Sequence, residues 1–228
     1  MDYNEILKQL ESLADPKAVE GMTRFGISAK NTYGIPLPNL RKIAREIRKD
    51  HDLARQLWSS GIHEARILAS LIDDPKKVTE GQMESWARDF DSWDVCDQCC
   101  SNLFDKTALA FDKAVQWSDR DAEFVKRAGF VLMATLAVHA KKAKDEDFTK
   151  FLPIIKRESN DERNYVKKAV NWALRQIGKR NLRLNAKAVE TAKQIQRINS
   201  RNAKWIASDA LRELTSEAVQ KRLADRQL

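Results

Sequence analysis

The chain has 228 residues, 43% of them hydrophobic and 32% charged, with a formal net charge of +8. That is enough apolar material for a proper core in one large domain or two small ones. With only seven Gly, five Pro and three Cys, all three within 96–100, the composition argues against a turn-rich sheet protein and excludes a disulfide framework.

Helical periodicity runs from the start. Ile6, Leu7, Leu10 and Leu13 form an amphipathic pattern, and Pro16 opens the next helix at a favoured position. Gly34-Ile35-Pro36-Leu37-Pro38 reads as a loop. Leu40, Ile43, Ala44 and Ile47 then form an apolar stripe among Arg41, Lys42, Arg45 and Arg48. Helices are expected at about 52–60, 62–73, 80–90, 92–104, 107–117 and 121–140, and again near 147–158, 163–179, 185–199 and 201–213. No segment reads convincingly as a strand. No apolar run approaches the roughly 18–20 residues of a membrane span. The acidic start Met1-Asp2-Tyr3-Asn4-Glu5 carries no signal-peptide pattern. A soluble cytoplasmic protein is expected.

The helical segments resemble one another. Arg66-Ile67-Leu68-Ala69, Arg127-Ala128-Gly129-Phe130, Lys168-Ala169-Val170 and Lys204-Trp205-Ile206-Ala207 each place a basic residue before small and large apolar ones. With the Asp97 helix as the remaining member, the steps are 31, 30, 41 and 36 residues. Such spacings belong to helix-pair repeats that stack into an α-solenoid, for which one domain over 1–228 is expected. An ordinary helical bundle is the competing arrangement. In a solenoid, Arg66, Asp97, Arg127, Lys168 and Lys204 would form one row. A lone carboxylate among cations lowers affinity for phosphates, so it is better explained by chemistry than by binding.

Charge is uneven. From Arg163 to Arg212 there are thirteen Lys/Arg and two acids, Glu190 and Asp209, a local balance of +11. A one-sided basic region is the electrostatic footprint of a nucleic-acid binder; its plain alternative is the solvated surface of a basic protein.

Trp93 and Asp97 stand four residues apart, so a helix presents an indole and a carboxylate on one face. A core tryptophan with a surface acid would give the same spacing. Trp172 and Arg175 share a face in the same way, suited to a nucleotide and a phosphate. Cys96, Cys99 and Cys100 have no matching Cys/His pair, and His51, His63 and His139 are scattered. A buried apolar face accounts for the cysteines better than a metal site. No phosphate-binding loop, dinucleotide fingerprint or nucleophile elbow is present.

Four segments together resemble the AlkD-like DNA alkylation repair glycosylases, which are built of HEAT-like repeats. Tyr33-Gly34-Ile35-Pro36-Leu37-Pro38-Asn39-Leu40-Arg41 resembles that family's N-terminal signature. Trp93-x3-Asp97 resembles its catalytic aromatic and acid. Val125-Lys126-Arg127-Ala128 resembles the helix with its active-site arginine. Lys167-Lys168-Ala169-Val170-Asn171-Trp172-Ala173-Leu174-Arg175 resembles the helix with its second cleft tryptophan and a DNA-contacting arginine. The resemblance runs from about Phe25 to Leu214.

The resemblance implies an all-α superhelix of HEAT-like pairs, acting as a monomer on double-stranded DNA with alkylated bases. It implies hydrolysis of the N-glycosidic bond of N3- or N7-alkylated purines, with the damaged base left stacked, in contrast to base-flipping enzymes. Asp97, Trp93 and Trp172 would be catalytic and Arg127 and Arg175 would bind DNA; Lys168 and Lys204, from the expected basic row, are DNA-binding candidates beside them. The alkylated purine is already cationic and departs without a general acid, so no metal or cofactor is implied. Some members of the family lack the acid or an aromatic and bind DNA without excision; this chain keeps all four positions. Asp94 lies outside the family pattern and could compete with Asp97, although surface charge is the simpler expectation for it. Two other readings remain: a non-enzymatic binder of duplex or branched DNA, and a HEAT-type protein adaptor. The adaptor leaves the basic region unexplained.

Overall fold

A computed structural model describes residues 1–225; positions 226–228 of the expected domain lie outside the described residues. All regular elements among the described residues are helical. They group into two compact units, residues 1–107 and the described residues from 108 onward.

The first unit contains α1 (Tyr3–Ser12), α2 (Pro16–Thr23), α3 (Leu37–Ile47), α4 (His51–Ser59), α5 (His63–Ile72), α6 (Glu80–Arg88) and α7 (Trp93–Asn102), followed by a 3-10 turn at Phe104–Lys106. Local chemistry sets the boundaries. Asp2 and Glu5 form a capping box at α1. Asp15 caps α2 ahead of Pro16, and Asp50 and Thr79 cap α4 and α6. The core holds Trp58 and Trp86 stacked at 4.0 Å and 2°, with Phe90 and Phe104 beside them. The Trp58 indole N–H is satisfied by Asp89 at 2.8 Å, as a buried indole requires.

The second unit contains α8 (Ala110–Ser118), α9 (Glu123–His139), α10 (Asp145–Thr149), α11 (Phe151–Arg157), α12 (Asn164–Gly178), α13 (Leu182–Gln196), α14 (Arg201–Leu214) and α15 (Glu217–Asp225), with a 3-10 turn at Glu158–Asn160. Helix α9 is buried continuously from Arg127 to Ala137 and packs against both α8 and α12. Gly129 makes that possible: a Cβ there would lie 2.5 Å from the Ser118 nitrogen. The expected helix near 147–158 is divided between α10 and α11, and Pro153 sits in the first turn of α11, where a missing N–H costs nothing. Helix α13 begins three residues before its expected start because Asn181 caps it through the Leu184 N–H. Helix α15 lies beyond the expected series.

The repeat is visible in the long-range polar contacts. In the first unit, Tyr33–Glu64, Trp58–Asp89 and His63–Asp94 each span 31 residues. In the second, Arg127–Tyr165, Lys156–Gln194, Asn171–Asp209 and Arg175–Glu213 each span 38. A constant span means that each link joins corresponding positions of successive repeats. The architecture is the all-α, HEAT-like stack of helix pairs expected from the sequence. No helix among the described residues is long and apolar enough to cross a membrane.

Candidate functional site

Helix α7 carries the proposed chemistry of the first unit. Val95, Cys96, Cys99 and Cys100 form its inner face and are buried. Burial pushes the Cys99 and Cys100 thiols well above their ordinary range, which keeps them protonated and apolar. With that side turned inward, Trp93 and Asp97 are left half-buried, one turn apart. The Trp93 indole donates its N–H to the Phe25 carbonyl at 3.1 Å, which ties the start of α7 to the segment after α2.

Asp94 is not the surface charge expected of it. Its side chain is 17% exposed, and its Oδ2 lies 2.9 Å from Nε2 of the buried His63. Burial alone would raise the Asp94 pKa. The His63 hydrogen bond and charge, with the Val95 N–H, outweigh it and hold the carboxyl below its usual value. Burial alone would lower His63, but Asp94, with Glu64 and Asp91 nearby, raises it. The first turn of α7 is thus locked by an ion pair to α5.

The signature loop has a comparable lock. The buried Glu64 carboxylate accepts the N–H groups of Tyr33, Gly34 and Ile35 at 2.9, 2.6 and 3.3 Å. Gly34 has φ +76°, and a Cβ there would meet the Asp15 carbonyl oxygen at 2.6 Å. The glycine is therefore demanded twice, by backbone conformation and by space.

In the second unit, Lys168, Trp172 and Arg175 lie along one face of α12 at i, i+4 and i+7. Lys168 and, on α14, Lys204 are exposed, and Trp172 is half-buried. Arg127 is buried, with Nη1 on the Tyr165 carbonyl at 2.6 Å. Arg175 faces Glu213 at 2.5 Å and Asp209 at 3.6 Å. Lys179 also meets Glu213, at 2.6 Å. Burial alone would raise the Glu213 pKa, but Lys179 and Arg175 together hold it low. The +11 window ends at Arg212, one residue short of the carboxylate that neutralises part of it.

Counted from the helix N-caps, Asp97, Arg127 and Lys168 are each the fifth residue, whereas Arg66 and Lys204 are the fourth. One residue is a turn of about 100° on a helix. Arg66 is accordingly committed inside the first unit, on the Asp89 carbonyl, Asp91 and the face of Trp58. Among the described residues no cluster of three or more metal-ligating side chains occurs.

A family model described as DNA alkylation repair enzyme matches residues 6–214. Uncharacterized proteins of Listeria innocua serovar 6a and Listeria monocytogenes serovar 1/2a are each 23% identical over 201 residues, covering 86% of this chain and 88% of the relative. A solved structure, described as a new family of proteins related to the HEAT-like repeat DNA glycosylases with affinity for branched DNA structures, superposes with a TM-score of 0.82. It is 22% identical, covering 98% of this chain and 96% of the other.

Proposed function

The chain belongs to the DNA alkylation repair enzyme family, and from that membership we propose that it excises N3- and N7-alkylated purines from duplex DNA, acting as a monomer without a metal or cofactor. Alkylation makes the purine cationic, so the bond from C1′ to the base nitrogen breaks with its electron pair passing to the purine, which leaves neutral. Positive charge then moves to the deoxyribose. The Asp97 carboxylate stabilises that charge and orients the water whose oxygen bonds to C1′. The water's proton passes to Asp97 or to solvent. The aromatic face of Trp93 stabilises the same cationic sugar, and Trp172 is assigned a catalytic aromatic role from the family resemblance. Lys168, Lys204 and Arg175 are assigned to phosphates, and the damaged base stays stacked; Arg127, buried on the Tyr165 carbonyl, reaches a phosphate only by leaving that contact.

The observation that carries this reading is the pair Trp93 and Asp97, half-buried one turn apart on a helix anchored by Phe25 and His63. Preorganised electrostatics is what a reaction without a general acid needs. The test is single-turnover release of 7-methylguanine from duplex DNA. Asp97→Asn is expected to slow it by about 10²–10³-fold; release at the wild-type rate sinks the assignment.

A second reading has one specific support, the fold shared with a protein that has affinity for branched DNA structures. In it the chain binds DNA without excision. Salt-sensitive binding with no base release by the wild type would establish that reading instead.

A further inference from the structure

We propose that Trp205 is a stacking platform for an unpaired nucleobase of DNA, with Lys167, Lys168, Arg201 and Lys204 holding the phosphates on either side. The proposal rests on the DNA-binding half of the function above and is independent of base release.

Trp205 lies on α14 in the basic part of the chain and is 43% exposed. Of the six tryptophans it is the most exposed; Trp58, Trp86 and Trp117 are core, and Trp93 and Trp172 are half-buried. The exposed part of the indole offers a flat apolar surface within the basic part of the chain.

Its position is set by a ladder between α12 and α14. Lys167 meets Trp205, Asn171 meets Asp209 and Arg175 meets Glu213, all across 38 residues and in steps of four. The lower two rungs are closed: Asp209 also binds Arg212, and Glu213 also binds Lys179. The top rung is open. The Lys167 ammonium lies over the Trp205 ring, 5.0 Å from its centroid, a cation–π contact that holds the indole in place. None of Lys167, Lys168, Arg201 and Lys204 is paired with a carboxylate among the described residues. Counted from the N-caps, Trp205 takes the same place on α14 as Lys168 on α12.

An exposed indole on a helix pair that carries four cations without a carboxylate partner matches one ligand chemistry, an aromatic base between two phosphates. A base inside a duplex shows only its edge, so the platform selects DNA in which a base is free: a single-stranded end, a gap or a branch. Protein ligands with an anion beside an aromatic ring fit less well, because the cations are spread over two helices, α12 and α14, rather than gathered at one point.

The experiment measures binding of two labelled DNAs to the full chain by fluorescence anisotropy at fixed salt. One is a blunt 20-base-pair duplex; the other is the same duplex with a six-thymidine overhang. The wild type is expected to prefer the overhang DNA. Trp205→Ala should reduce that preference by about 5–150-fold, the range for removing one base-stacking aromatic, whereas Trp205→Phe should keep most of it. Lys167→Ala should weaken both DNAs and flatten their salt dependence. Equal binding of both DNAs by the wild type, an unchanged preference in Trp205→Ala, or no binding to DNA at all would each overturn the proposal. Failure of 7-methylguanine release leaves it standing if the preference is present, so the two readings fail separately.

Discussion

His63 Nε2 and Asp94 Oδ2 meet at 2.9 Å across α5 and α7, and the contact fixes the turn that presents Trp93. Their charges favour each other: His63 is raised from 6.5 and Asp94 lowered from 3.8, in both cases against the effect of burial. The raised histidine stabilises the fold fully below its unfolded value and ceases to do so as pH rises through its folded value. The lowered aspartate stabilises it above its unfolded value and ceases to do so as pH falls through its folded value. The pair therefore contributes most between 3.8 and 6.5.

Asp94→Asn is accordingly expected to lower stability by about 1.5–3 kcal/mol near pH 5.5, the scale of a charge-assisted hydrogen bond. The difference from wild type should shrink above the folded His63 value. Urea midpoints at several pH values check this. A deficit that stays constant from pH 5 to 9 would mean the ion pair contributes nothing specific.

Glu64 organises the 33–35 loop through three backbone N–H groups. Glu64→Gln keeps the shape and loses the charge and one acceptor. It should cost roughly 1–3 kcal/mol, because a buried donor is left unmet. Gly34→Ala should cost about 1–3 kcal/mol from its φ alone, with the clash against the Asp15 carbonyl added. Thermal denaturation of both variants tests the account. A Gly34→Ala protein as stable as wild type would show that the loop can move aside.

Glu213 occupies Arg175 and Lys179 together. Removing its charge should release both toward phosphate. Glu213→Gln is therefore expected to bind duplex DNA more tightly, with a salt dependence steeper by about 1–2 in log–log slope. Arg175→Ala should change the slope by about 1 in the other direction. Salt titrations read this directly; an unchanged slope in Glu213→Gln would place Arg175 outside the DNA contacts.

What the sequence determined by itself is what depends on neighbours three or four residues away. Helical periodicity gave the fold class and put Trp93 and Asp97 one turn apart on α7; their half-burial follows from Val95, Cys96, Cys99 and Cys100 turning inward. Caps such as Asp2 and Asp50 are likewise local. Tertiary structure alone decided the partners. Asp94 looked like solvent-facing charge until His63, 31 residues away, was brought against it. Glu64 carries no local sign of serving the Tyr33–Ile35 backbone. Arg175 reads as a free cation, yet Glu213, 38 residues on, neutralises it. The physical reason is the repeat itself. Stacked helices bring residues together at spans of 31 or 38, and an irregular motif does not show which side chains will coincide there. Charge and burial at the candidate site follow from those coincidences, so the candidate residues were legible in the sequence and their electrostatic setting was not.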